Sequence, residues 1–541
     1  MTTAKDFCLG IALAGVLAGA GTALGCAVAS ADTGSDTSAG SAAGAGKTRV
    51  PTERGAGLPG RSASKAGGVP PAKRTAASST LVSARASALP PGRLPLPAPV
   101  LPAAPASTVT VAASASRGRT ASQIASPTHV LLIGTDGTNL SKVLEYAYDD
   151  PTDGFRMLMD DGITGATSLV GHTTISDPSW STILTGAWDS KTGVINNIFS
   201  PTPFDSWPTV INLIEYNHPD VTTAVFADWI NINDIGAAGG YPADINTYVP
   251  FDTSWENTDD LVTQATIDLI NNTAATDSAF IFSYQVAVDE AGHAAGGDSP
   301  QYAAAVVNTS DNIRLILQTI AAWEAANPGQ EWTVITTTDH GHQPQQGFGH
   351  GFQSPAETSS FVIFDLEGEG FNGGTQNLGY SNADITPTIV SLFGIAQRSD
   401  FDGVPLQTKS DGIVIPVDLK QSLTDALGNF GYPDVTTNIA LGVRTIFGAI
   451  PYFLNIGVEA VTGFLQGVVD QEIFLISTLA GVAEFVVGAV GNALVGVTQA
   501  VAQVVGTLTG AGVIPPSDPP LPPPTAESLS PASAIPLSAL V

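Results

Sequence analysis

Cysteine is nearly absent from this 541-residue chain: there are two, Cys8 and Cys26, both close to the N-terminus. Nothing downstream can be stapled by a disulfide. Any metal site there must use histidine, carboxylate or hydroxyl ligands. Basic residues are also scarce, 20 Lys and Arg against 49 Asp and Glu, for a formal net charge of -29. Such a chain repels a polyanionic duplex, which argues against nucleic acid as a partner. A small anionic substrate can still bind where bound cations reverse the local field. Histidine is rare as well, with seven in all, yet three of the seven stand in TTTDHGHQPQQGFGHG, residues 336–351, the first directly after an aspartate.

The length calls for at least two ordered units. Residues 1–31 read as a signal peptide. A short n-region carrying Lys5 precedes an apolar stretch of small residues, and Ala29-Ser30-Ala31 fits an A-x-A cleavage site. The protein is therefore expected to be secreted or held in the cell envelope, with an uncleaved anchor and lipid attachment at Cys26 as alternatives. Residues 32–126 are rich in Ala, Ser, Gly and Pro and hold 11 of the 20 basic residues. They cannot bury enough apolar surface to offset their ordering entropy and are expected to be a disordered basic linker.

From His129 the pattern changes. HVLLIGTDG, TTAVFADW, SAFIFSYQVAVDEAGH, WTVITTTDHGH and SSFVIFDLEG are apolar bursts, and helical stretches such as DDLVTQATIDLINNT and SDNIRLILQTIAAWEAA lie between them. This alternation predicts an α/β domain over residues 127–412, with a mostly parallel central sheet flanked by helices. Ligand-binding groups gather at the carboxyl ends of such strands, and Asp136, Asp289 and Asp339 each end an apolar run. Residues 413–512 are apolar and expected to be helical. A hairpin or bundle packed on itself, on the catalytic domain or on lipid is favoured over a membrane span, because no Lys or Arg follows Arg444 to mark a flank. Residues 513–541 form a proline-rich tail.

Taken singly, the chemistry-bearing motifs are weak. Asp339-His340 leaves a strand end, and His350, between two glycines, can swing back to the same cleft. Asp289 and His293 are spaced i and i+4. Asp136 sits in GTDG. Ser176, in SDPSWSTILTG, opens a helix whose N–H groups and dipole suit phosphate, although an N-cap reads equally well. Their order is more specific. Two carboxylate and imidazole triplets plus a hydroxyl are what a two-metal hydrolase needs.

On these motifs, between about His129 and Gly394, the sequence resembles the alkaline phosphatase superfamily and most closely its type I phosphodiesterase and nucleotide pyrophosphatase branch. DITPTIVSLFGI, residues 384–395, is similar to the helix that commonly ends that domain. The resemblance implies an alkaline phosphatase-like fold with Ser176 as nucleophile. It implies Asp136, Asp339 and His340 as ligands of the cation that activates Ser176, which is itself a ligand. Asp289, His293 and His350 would hold a second cation that stabilises the leaving oxygen. Asn197, with Asn196 adjacent, falls where the branch has an asparagine that binds a phosphoryl oxygen, helped by the backbone N–H near Asp177. Two divalent ions are implied; with this ligand set zinc is expected, with manganese or iron as alternatives.

Some residues depart from the pattern. The branch usually has threonine where Ser176 stands. The gap between His340 and His350 is short, which puts nucleotide specificity in doubt. SDPSW resembles a sulfatase motif, but Trp180 occupies its arginine position. The expected function is an exported phosphodiesterase acting on a small-molecule or lipid phosphoester, with membrane or envelope association through the C-terminal region. Phosphomonoesterase, sulfatase and phosphonate hydrolase activities remain open, as does a non-catalytic envelope- or lipid-associated role. His342 is expected at the surface or behind the ligands. His129, His172 and His218 are expected to be structural.

Overall fold

The computed structural model describes residues 126–347, 349–365, 373–473 and 475–524. The expected signal peptide, the linker through residue 125 and the last part of the tail lie outside the described residues.

Nine strands form one sheet: β1 (His129–Thr135), β2 (Ile163–Ser168), β3 (Thr222–Ala227), β4 (Ile245–Tyr248), β5 (Ala279–Gln285), β6 (Trp332–Thr337), β7 (Ser359–Asp365), β8 (Thr375–Asn377) and β9 (Ile413–Val414). Their order is β4-β3-β5-β1-β6-β7-β2-β8-β9. The run from β4 to β6 is parallel throughout. β7 is antiparallel to β6 and β2, and β9 is antiparallel to β8. The sheet is thus mostly parallel, as expected.

Central strands buried on both faces read as continuous apolar runs. All seven residues of β1 are buried, and so are all seven of β5. Alternate residues feed separate cores on the two faces. Val130, Leu132, Phe280 and Phe282 join one, and Leu131, Ile133, Ala279 and Ile281 join the other. Trp180 from helix α1 (Ser176–Thr185) packs into the first core. Helices α2 (Trp255–Asn272), α3 (Ala287–Ala295) and α4 (Pro300–Ala326) cover the second face, and α5 (Ile385–Leu392) returns to the first.

The expected division at residue 413 falls inside this domain. β9 begins there as an edge strand, and Leu419 and Leu423 of the next helix are buried in the second core. The separate apolar unit starts later. Helix α6 (Val435–Val469) and helix α7 (Ile476–Leu508) form a hairpin closed by a short turn. Gly491 lies against Val458, Gly488 near Thr462 and Gly481 near Val469, which fixes an antiparallel register.

The base of the hairpin is bolted to the sheet domain. Arg444 of α6 pairs with buried Asp189, and its Nε donates to Thr509 at 3.1 Å. Asn196 donates to the Gly448 carbonyl at 2.9 Å and to Gln499 of α7 at 2.8 Å. Ile195, Ala502 and Ala511 seal the contact. The tail continues along the domain: Asp518 binds Ser399, and the Pro522 carbonyl accepts from Tyr241.

Removing one partner of a buried ion pair strands the other charge. Arg444→Leu should therefore cost about 3–5 kcal/mol in urea unfolding, and adding Asp189→Leu should restore much of that loss.

Candidate active site

Every candidate ligand reaches one place, at the carboxyl ends of β1, β5 and β6. Asp136 leaves β1 in a tight turn. Gly137 has φ +60°, and a Cβ there would fall 2.4 Å from Asp289 Oδ1, so only glycine lets the turn approach that carboxylate. Gly134 plays a related part, since a Cβ would sit 2.6 Å from the Trp180 ring. The indole can consequently lie over the strand end and donate to Asp136 Oδ2 at 2.8 Å. The Tyr284 hydroxyl donates to the same oxygen.

Asp289 and His293 lie on α3, one turn apart and on one face. That helix is fixed at its start by Asp259 of α2, whose Oδ1 accepts from the N–H groups of Val286 and Ala287, both at 3.2 Å. Asp339 and His340 follow β6 directly. The loop after them closes through the Gln343 N–H on the Gly349 carbonyl at 2.7 Å, which swings His350 back. Gly349 and Gly351 have φ of +50° and +108°.

The distances define two overlapping groups. Asp289, His293 and His350 converge, and so do Asp136, Asp289 and His340. Asp289 belongs to both, a bridging position that the sequence reading gave to one set alone. His293 Nε2 is 3.1 Å from Asp289 Oδ2. His340 Nε2 is 3.2 Å from Asp339 Oδ2 and 3.6 Å from Asp136 Oδ1. Ser176, first residue of α1, places Oγ 3.2 Å from His340 Nε2.

Three buried carboxylate oxygens here have no hydrogen-bond partner: Asp136 Oδ1, Asp289 Oδ1 and Asp339 Oδ2. Buried acceptors left bare are costly. The imidazoles face the same way. His350 Nδ1 is 2.7 Å from the Thr174 carbonyl and His340 Nδ1 is 3.1 Å from the Gly341 carbonyl. Each Nδ1–H is thereby engaged, and the Nε2 lone pairs point inward. His350 Nε2 and His293 Nε2 stand 3.1 Å apart. Three carboxylate oxygens left without a donor, beside inward imidazole nitrogens, fit divalent cations.

The electrostatics agree. Burial and the neighbouring Asp289 charge push Asp136 up to about 7. Burial, with Asp136 and Asp289 beside it, drives Asp339 well above the carboxylate range. Burial opposes ionisation of Asp289 too, but His293 and His350 hold it well below its ordinary value. In return Asp289 raises His293 to about 9. Burial takes His340 down to about 4 and, with His340 adjacent, lowers His350 strongly.

Asn197 and Asn196 diverge. Asn196 serves the hairpin, whereas Asn197 Oδ1 accepts from the Asp177 N–H at 3.0 Å. That N–H, expected to meet phosphoryl oxygens, is thus already engaged. Asn231 ties the segment together, donating to Asp177 Oδ2 at 2.8 Å and to the Asn197 carbonyl at 3.0 Å.

His342, expected at the surface or behind the ligands, is fully buried, with Nε2 3.9 Å from Asp289 Oδ1. Two other partners escaped the sequence reading. Tyr284 could have been noticed as a hydroxyl, with that of Ser283, inside the apolar run of β5. Tyr452 of α6, which interacts with the Asn197 side chain, gave no local signal. Of the remaining histidines, His129 packs between Trp323 and Trp332, and His172 stacks on Trp188.

Residues 130–354 match the family model described as type I phosphodiesterase / nucleotide pyrophosphatase. Over these residues the chain is similar to type I phosphodiesterases and nucleotide pyrophosphatases. No match is found among the curated proteins. Among solved structures, murine ectonucleotide pyrophosphatase/phosphodiesterase 5 in complex with AMP is 15% identical with a TM-score of 0.39, covering 53% of this chain and 100% of that one. A 2-O GAG sulfatase is 14% identical with a TM-score of 0.39, covering 53% and 74%.

Trp180→Phe keeps the ring packing but removes the donor to Asp136. Such support of a ligand is worth about 10–100-fold in metal affinity, so calorimetric titration of the metal-free protein with zinc should show a weakening in that range.

Proposed function

We propose that the protein is a metal-dependent phosphodiesterase working through a phospho-serine intermediate on Ser176. The reading is carried by one observation: the bare carboxylate oxygens and imidazole nitrogens gather in one cluster with His340, whose Nε2 lies 3.2 Å from Ser176 Oγ at the N-terminus of α1. The match to a metal-dependent phosphodiesterase family supports it.

Asp136, Asp339 and His340 would hold the cation beside Ser176, and Asp289, His293 and His350 the other, with Asp289 able to reach both. When bound, two such ions supply Lewis-acid charge that favours the serine alkoxide and steadies the leaving oxygen. Zinc suits this oxygen and nitrogen set, and manganese or iron are alternatives.

The chain's own residues then divide the work. Ser176 Oγ loses its proton to water and adds to phosphorus in line, and the bond from phosphorus to the leaving alcohol breaks. The alcohol oxygen takes a proton from solvent. Water next attacks phospho-Ser176, and the P–O bond to the serine breaks, releasing phosphate monoester and regenerating the hydroxyl. Asn197, held by Asp177 and Asn231, offers its amide nitrogen to a non-bridging oxygen. The N-terminal end of the α1 dipole lies beside Ser176 and favours negative charge there, although the Asp177 N–H is engaged by Asn197 and Pro178 has none. Trp180 fills the place of the sulfatase arginine and is committed to Asp136, which disfavours sulfate esters.

Ser176→Ala should lower turnover of bis(p-nitrophenyl) phosphate by at least about 1,000-fold, with zinc content by elemental analysis unchanged. Chelation should silence the wild type, and added zinc or manganese should restore it. Full turnover by the alanine variant removes Ser176 from its role, and a screen including aryl sulfates and phosphomonoesters reports which ester class is preferred.

A further inference from the structure

The hairpin of α6 and α7 is packed inside out. In α7 the side facing α6 carries small residues, Ser477, Ala480, Gly481, Gly488 and Gly491. The large apolar side chains point away: Phe485 is 76% exposed, Val490 65% and Val497 63%. In α6, Phe453 and Phe464 are likewise exposed at 52% and 62%. A water-soluble helix pair does the opposite, burying its large residues. Small residues at the interface and large ones outward is the packing used where the surrounding solvent is hydrocarbon.

Length agrees with that solvent. Contacts to the sheet domain end near Tyr452 on α6 and Gln499 on α7. Beyond them, α6 runs on to Val469 and α7 comes back from Ile476. These free lengths are about 25 Å and 35 Å at 1.5 Å per residue, bracketing a hydrocarbon core of about 30 Å. The tip carries three exposed polar residues, Asp470, Gln471 and Glu472, followed by exposed Ile473 and Leu475. Two acids lie within the free length. Glu459 accepts from Asn455 at 2.7 Å, and Glu484 is half-buried.

The root of the hairpin is also the rim of the candidate site. Thr445 donates to the Gly351 carbonyl, next to His350, and Tyr452 meets Asn197. The apolar outer surface is present at that level, with Phe447, Ile450 and Phe453, and extends towards the base through Val443 and Ile439. We propose that the hairpin is inserted in a lipid bilayer and holds the Ser176 site at the headgroup layer, where it hydrolyses phosphodiesters carried by membrane lipids. The insertion stands independently, and the substrate class rests on the phosphodiesterase reading above.

The test uses the full-length, metal-loaded protein and vesicles of phosphatidylcholine with phosphatidylglycerol. Wild type should float with the vesicles in a density gradient. Val486→Lys with Val490→Lys, on the outward face, should lower the floated fraction at least tenfold, while helical circular dichroism and turnover of soluble bis(p-nitrophenyl) phosphate stay at wild-type values. Phosphate monoester should be released from vesicle-borne phosphatidylglycerol by wild type and at least tenfold less by the lysine variant. If wild type stays out of the vesicle fraction, including as a hairpin-mediated dimer, insertion is overturned. Flotation without hydrolysis of the soluble ester overturns the phosphodiesterase reading and leaves insertion standing. Flotation with soluble turnover but no lipid hydrolysis overturns the lipid substrate class.

Discussion

Three carboxyl groups, Asp136, Asp289 and Asp339, are buried within reach of one another at the ends of three adjacent strands. Like charges in a dry interior cannot all ionise without compensation. In the protein alone, Asp289 is compensated by His293, while Asp136 and Asp339 are pushed toward the neutral form. Much of the surrounding structure meets this constraint. Trp180, Tyr284 and the Gly137 N–H each satisfy one oxygen and leave another aimed at the centre. Carboxylates held this way are preorganised for cations, and the cost of that arrangement is carried by the apolar cores on both sheet faces.

The strand order makes the convergence geometric. β1 lies between β5 and β6, so the residues that follow these three strands emerge side by side at one edge. α1 enters from the other side of β1. Glycine at positions 134 and 137 removes the two Cβ atoms that would keep Trp180 and Asp289 away. Asp259 fixes the start of α3 from a neighbouring helix, which sets where Asp289 and His293 point. The chemistry therefore depends on residues that would never touch a substrate.

The C-terminal hairpin obeys different packing rules from the domain that carries it. Its base uses a buried ion pair, amide hydrogen bonds and a small apolar plug, as a protein interface does. Beyond the base, few of its side chains are buried. The base reaches the Asn197 segment and the His350 loop, so a feature that looks like an appendage in the sequence shares residues with the rim of the site.

Local pattern made much of this legible. Apolar bursts marked β1, β3, β5, β6 and β7 because central strands leave no room for polar side chains. The three acids stood out because each ended such a burst, and the histidines because they stood near an acid or in the glycine-flanked loop after one. The short strands β2, β4, β8 and β9 went unnoticed, being brief or mixed in polarity, and β9 moved the edge of the domain past residue 413. By itself the sequence determined which side chains were available, and that they lay at strand ends. Only the tertiary structure decided that Asp289 lies in both carboxylate and imidazole groups, that Asn197 binds the Asp177 N–H while Asn196 binds the hairpin, that His342 is buried beside Asp289 and that Tyr452 reaches Asn197 from the hairpin. Those outcomes depend on contacts between residues far apart in the chain, where a residue's neighbours in sequence say nothing about its neighbours in space.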